Sequence, residues 1–264
     1  MVSESQEQHH QAYPSFNNEF ASKRIVKRDF WLIPIYVFSY MVLPIILGFL
    51  ITIFWGALNP LLSEKYLFDY FMNATSVCTI IGQLLFLLSF YLMHRKTIVP
   101  IAISRFKALR KHIILIIGTI VLIYLFSALY GYAMEFLPER FQFEDTENNK
   151  EIAKMFTHGW LIPFLYIDIA ILTPFVEELL FRHLLIHELG KKLTYGVMYV
   201  ISILVFAGVH CIDAKSPFEI GPYLIIATGI VAAYHFSGRN LATTITMHMT
   251  INTCLLYTSD AADE

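Results

Sequence analysis

The stretch WLIPFLYIDIAILTPFVEELLFRHLLIHEL, from Trp160 to Leu189, decides the reading of this chain. It is apolar and long enough to cross a bilayer as a helix, for which about 20 residues suffice. Yet it contains Glu177, Glu178 and Arg182, with His183 directly after. Ionisable groups at the centre of a membrane helix cost roughly 2.5–3.5 kcal/mol each on insertion scales, so they face a protein interior or a watered cavity and mark a site. Glu178 and Arg182 are four apart and share a helix face. Glu177 is turned about 100° away. One carboxylate can therefore be held by the arginine while its neighbour acts.

The rest of the chain is built of comparable segments. Apolar runs cover Phe30 to Leu58, Met72 to Met93, His112 to Leu137, Tyr195 to His210, Pro222 to Ser237 and a stretch beginning at Leu241. With 56% hydrophobic residues, 15% charged and a mean hydropathy of +0.57, the composition lies outside that of a soluble domain. The expected fold is all-α, a polytopic transmembrane helix bundle of about seven spans around an intramembrane catalytic cavity. Long continuous apolar runs exclude a β-barrel, whose strands alternate. The Tyr195 and Pro222 segments are short and count as spans by continuity of the pattern or by tilt in a thinned bundle.

Basic residues set the expected orientation. Lys23, Arg24, Lys27 and Arg28 precede the first span. Arg95, Lys96, Arg105, Lys107, Arg110 and Lys111 follow the second, and Lys191, Lys192 and Arg239 follow the fourth and sixth. These thirteen of 19 basic residues share one side, against Lys65, Arg140, Lys150, Lys154 and Lys215 on the other. The positive-inside rule then makes the N-terminus cytoplasmic and the acidic 138–158 loop external. Residues 1–29 are expected to be a cytoplasmic polar tail. Its first 22 residues have no apolar h-region, so no cleavable signal peptide is expected. The net charge of -2 says little about partners, and the basic residues are explained by topology, so no nucleic-acid role is expected.

Residues 254–264, Cys254 to Glu264, look like a translated sequencing adapter and are set aside, with the natural chain expected to continue past residue 253. That leaves Cys78 and Cys211, which form neither a disulfide framework nor a metal motif. Residues 30–159 are read as accessory helices and loops, and 160–253 as the catalytic membrane domain.

Two further polar pairs occur in later spans. Phe206-Ala-Gly-Val-His210 ends one, and His248-Met-Thr-Ile-Asn252 lies in the last, each pair four apart on one helix face. Singly, an intramembrane histidine is more often a packing or interfacial residue, and an asparagine can merely bridge helices. The ordered set Glu-Glu-x-x-x-Arg, Phe-x-x-x-His and His-x-x-x-Asn is harder to obtain by chance. Thr173-Pro174, just before Glu177, reads either as a simple kink or as the start of a second helix capped by Thr173.

At these residues the sequence resembles the CPBP family of intramembrane proteases, the CAAX protease, bacteriocin-processing or Abi proteins, which include the type II CAAX prenyl endopeptidases. It is similar also to lysostaphin resistance protein A-like members. The resemblance covers about residues 160–253. A departure is His183, where relatives often carry glycine after the arginine.

Peptide hydrolysis needs an activated water, stabilisation of the oxyanion and a proton for the leaving amine. Glu177 with His210 can polarise water. His248 and Asn252 offer N–H donors for the oxyanion. Glu178 anchors Arg182, and Phe206 supports the site. The family resemblance implies the same division of labour. Alternatively Glu177, His210 and His248 would ligate zinc and leave one position for water. The resemblance to the prenyl endopeptidases implies a metal-free mechanism, which is preferred because Asn252 fits an oxyanion donor better than a zinc accessory.

The expected protein is thus a multi-pass endopeptidase of the bacterial cell membrane, acting on a membrane-associated or lipidated peptide, by CAAX-type or bacteriocin- or pheromone-type processing. Membrane lipid and such a substrate are the expected partners. Rivals are a catalytically silent immunity or scaffold protein and a proton-coupled transporter. At about 1.5 Å per residue, His210 counts as deeper than Glu178 and His248. A cavity open toward the cytoplasm and reaching past mid-membrane would reconcile them. Asp168 is expected near the outer interface, His187 and Glu188 at an interfacial helix end, and His235 as a packing or interfacial residue.

Overall fold

A computed structural model describes the backbone of residues 19–155 and 159–260. The first 18 residues of the expected tail, three residues of the 138–158 loop and the last four of the adapter-like segment lie outside the described residues. Nine helices organise the rest: α1 (Lys27–Leu58), α2 (Glu64–His94), α3 (Ile98–Lys107), α4 (Ile113–Met134), α5 (Glu147–Met155), α6 (Gly159–Leu193), α7 (Tyr195–Val209), α8 (Pro217–Phe236) and α9 (Leu241–Asp260). The fold is all-helical, as the runs of apolar residues require. Of the expected spans, α1, α2, α4, α6 and α8 are long and apolar enough to cross a membrane. α7 is shorter, at 15 residues.

The bundle has lipid-facing and inner helices. In the most apolar windows of α1 and α4 only 17% of residues are buried, against 33% in α6 and 44% in α8. The two outer helices thus spend their apolar side chains on lipid, while α6 and α8 spend theirs on the core. α1 and α2 pair as a hairpin whose turn ends at Ser63, the side chain of which accepts the Tyr66 N–H and caps α2. Their backbones touch through small residues. A Cβ at Gly82 would stand 1.8 Å from the Ser39 carbonyl oxygen, and one at Gly48 2.2 Å from Thr75 Oγ1. Such close approach is how membrane helices gain packing where lipid removes the hydrophobic drive. Gly229 plays the same part between α8 and α4, lying against Ile123.

Prolines inside α1 and α6 do not break them. Pro44 follows the π-helical turn Val37–Val42, and Pro174 follows the π-helical turn Tyr166–Leu172. A widened turn makes room for a ring that would otherwise strike the carbonyl four residues back. α6 therefore runs through Thr173 without restarting. Thr173 has helical dihedrals and caps nothing; its hydroxyl accepts from Gln83 Nε2 at 2.8 Å.

The helix ends define two faces. On one, Asp29 at the start of α1 is fully buried and accepts from His94 Nε2 at 2.8 Å and His183 Nε2 at 2.7 Å, so the start of α1 and the end of α2 meet α6 at His183. Glu188 accepts the Val26 N–H at 2.7 Å there and pairs with Lys191. It is buried within this clasp rather than lying at an open helix terminus as expected. Residues 19–29 are part of the same packing, with the Phe20 ring against Phe90 and His183. On the opposite face, Tyr130 donates to the Phe218 carbonyl at 2.7 Å, and Thr146 meets Tyr223 at 2.8 Å, which binds the α5 segment to the start of α8.

Candidate active site

Glu177 and Glu178 occupy the short regular turn of α6 between two π-helical stretches. Glu178 is fully buried and its Oε1 lies 3.0 Å from Arg182 Nη1, the pairing expected of residues four apart. Among the described residues Glu178 is the ion-pair partner of Arg182. The guanidinium plane also covers the Phe206 ring at 4.9 Å, a cation–π contact. The same Glu178 oxygen accepts from His248 Nδ1 at 3.0 Å. One buried carboxylate thus holds an arginine and a histidine from a different helix.

Glu177 points elsewhere, as its 100° offset requires. Its Oε1 lies 3.8 Å from His210 Nε2 and its Oε2 lies 3.6 Å from His248 Nε2. His210 Nδ1 donates to the Phe206 carbonyl at 2.8 Å, so in the neutral ring Nε2 carries the lone pair and presents it toward Glu177. The imidazole is sandwiched further: Phe206 lies 4.5 Å and Tyr223 5.0 Å from its ring centre. These ring contacts fix the plane of a residue that ends α7.

Asn252 donates from Nδ2 to the Ile169 carbonyl at 2.9 Å. This bond follows from the π-helical turn. In i→i+5 register the partner of Ile169 would be residue 174, a proline without an N–H, so the carbonyl is left for a side chain. An amide has two N–H groups, and the second remains for the cavity that Asn252 lines.

Glu177, His210, His248 and Asn252 all line one cavity of about 480 Å³. Its other walls bring in residues that sequence reasoning missed. Asp168 lines this cavity, with Thr79 Oγ1 donating to it at 2.8 Å. Thr79 and Gln83, four apart on α2, were the legible signal of a polar stripe facing α6. Tyr223 and the α5 residues Asn148 and Asn149 line the cavity toward the face opposite the basic clasp.

The expected depth mismatch does not exist. Glu177 stands sixteen residues before the end of α6 and His210 fifteen after the start of α7, with the single residue Thr194, at φ 71°, between the helices. The two groups are at equal height, and the cavity opens toward the α5 face instead of the basic one. His235 is exposed and pairs with Tyr199, outside this cavity.

A zinc ion would have to draw on Glu177, His210 and His248. Among the described residues the triad whose ligand atoms gather within 4.8 Å of one another is Asp29, His183 and Glu188. The active-site three do not gather so, and zinc ligands lie about 2.0–2.2 Å from the ion. As placed, they do not fit a metal, and no step below is routed through one. The Asp29 group is already hydrogen-bonded throughout and stands beside Arg28 and Lys191, charges that oppose a cation.

A helical membrane fold with a glutamate between two imidazoles beside a buried Glu–Arg pair is consistent with the CPBP membrane proteases as a class. Residues 159–254 match the family model described as type II CAAX prenyl endopeptidase Rce1-like. The matched segment begins with α6, includes α7 and α8 and ends within α9, so it contains all three motifs. At the level of the family it is similar to peptidases. No curated protein and no solved structure matches the chain.

Proposed function

We propose that the chain is an intramembrane endopeptidase that hydrolyses a peptide bond of a membrane-associated or lipidated peptide, with Glu177 as general base. The observation that carries this reading is the Glu177 carboxylate set between His210 Nε2 and His248 Nε2 on the wall of the cavity. Separations of 3.6 and 3.8 Å suit groups that share a water, not groups bonded to each other.

In the reaction a water bonded to Glu177 and to the His210 lone pair loses a proton to Glu177 as its oxygen attacks the scissile carbonyl. The carbonyl electrons move onto oxygen, where His248 and Asn252 donate. Donation by His248 uses the imidazolium, whose charge together with Arg182 balances Glu177 and Glu178. Glu177 then passes its proton to the amine nitrogen as the C–N bond breaks. Positioned base catalysis is worth about 10²–10⁴ in rate.

The test uses purified, detergent-solubilised protein and a peptide substrate. Glu177→Gln and His210→Ala are each expected to lower cleavage by about 10²–10⁴. Full activity in both variants would overturn Glu177 and His210 as the catalytic pair, and no cleavage by the parent protein would leave the scaffold or transporter. Loss of activity on chelation with recovery on added zinc would overturn the metal-free mechanism.

A further inference from the structure

The cavity reaches one face of the bundle and is closed toward the other. Toward the basic face stand Glu178 and Arg182, both fully buried, with the Arg182 guanidinium against Phe206. A second, apolar cavity beyond this layer is lined by Phe20, Ile98, Arg105 and Arg239 from the basic face, and it shares no lining residue with the first. The active cavity is lined instead by Thr146, Asn149 and Met155 from α5. α7 sets the scale: fifteen residues from Tyr195, beside Lys191 and Lys192, raise His210 about 22 Å above the basic face.

The basic residues tell which face is which. Thirteen of the 19 lie at helix ends or in the α2–α4 connection on the closed side, within the short segments where lysine and arginine govern insertion. The α5 side carries Glu139, Glu144, Asp145, Glu147 and Glu151 in one segment.

We propose that the catalytic cavity is served from the external face of the cell membrane, so that its substrate is a peptide presented from outside or already moved across, and not a lipidated C-terminus held in the cytoplasm. The inference rests on the protease reading for the word substrate, but its geometry does not. The mouth suits a peptide backbone. Asn148 and Asn149 offer amide donors and acceptors, and α5 lies over the cavity, with the residue before it, Thr146, tied to Tyr223 of α8.

The test replaces Cys78, Cys211 and Cys254 with serine and introduces either Glu144→Cys, exposed before α5, or Lys107→Cys, exposed at the end of α3. Intact bacterial cells expressing each full chain are treated with a membrane-impermeant maleimide. Glu144→Cys should be labelled at once and Lys107→Cys only after lysis. The reverse pattern, or labelling of both in intact cells, overturns the inference. Should either variant fail to accumulate, Lys154→Cys and Lys111→Cys probe the same faces. Orientation is read here without catalysis, so inactive protein with the expected labelling refutes the protease reading alone. A second arm adds peptide outside intact cells carrying the unmodified sites, with Glu177→Gln cells as the blank. Cleavage only after lysis overturns the external route.

Discussion

His248 Nδ1 and Arg182 Nη1 each lie 3.0 Å from the same oxygen, Oε1 of Glu178. A carboxylate shared in this way fixes the α9 histidine by the charge that stabilises the α6 arginine. Glu178→Gln keeps the shape and removes the charge. Breaking one side of a buried pair costs about 3–5 kcal/mol, because the remaining ion is left uncompensated. The expected result is a lower thermal unfolding midpoint in detergent, partly restored in Glu178→Gln/Arg182→Met. A double variant no better than the single would show that the pair is not the cause.

Asn252 has a separate job that its bond to the Ile169 carbonyl prepares. In the proposed reaction Asn252→Ala removes an oxyanion donor, and loss of one such donor typically lowers kcat about 10²–10³-fold with KM little changed. Steady-state kinetics on a soluble peptide reads this. A rise in KM with unchanged kcat would assign Asn252 to ground-state binding instead.

Close packing of α1 and α2 depends on the absence of a side chain at residue 82. Gly82→Ala places a methyl against the Ser39 carbonyl, and overpacking of this kind costs about 1–3 kcal/mol. Unfolding in detergent should show it. Gly118→Ala on α4, where a Cβ meets nothing within 4 Å, is the matched control and should leave stability unchanged.

The attachment of α5 should depend on acid. Lys215, at 2.6 Å, and Lys150, at 3.0 Å, hold the Glu147 carboxyl down to about 2, below its usual 4.5. A carboxyl lowered by folding contributes its full stabilisation above the unfolded value and loses it as pH falls toward the folded one. The protection of α5 amides, taken relative to their intrinsic exchange rate at each pH, should therefore be full above pH 4.5 and fall progressively toward pH 2. Glu147→Gln should exchange fast throughout. Equal protection in the variant and the parent would remove the lysines from the account.

What the sequence disclosed was local. Glu178 and Arg182 four apart, and the His210 and His248 motifs on two later spans, are relations along single helices, and periodicity reads those directly. Contacts between helices were less legible. Nothing in the spacing of Asp29, His94 and His183 announces that one buried carboxylate holds two imidazoles from α2 and α6. Asp168 seemed remote because its distance was counted along α6, although the cavity meets it sideways from α2 and α9. The α5 residues that line the cavity are hidden from such counting for a similar reason. Depth was counted from lysines in place of helix ends, and Lys191 is turned inward onto Glu188, so it is a poor surface marker.

The blind end of the catalytic cavity has a consequence for the cell as a whole. Hydrolysis requires acids, bases and water deep in the bilayer, the same parts from which a proton wire is made. Between them and the basic face stands the fully buried Arg182–Glu178 pair, and the two cavities share no lining residue. Protons entering with the substrate would have to pass that buried pair to reach the basic face. On the proposed reading, a hydrolytic site is thus held in an energised membrane without one cavity running from face to face.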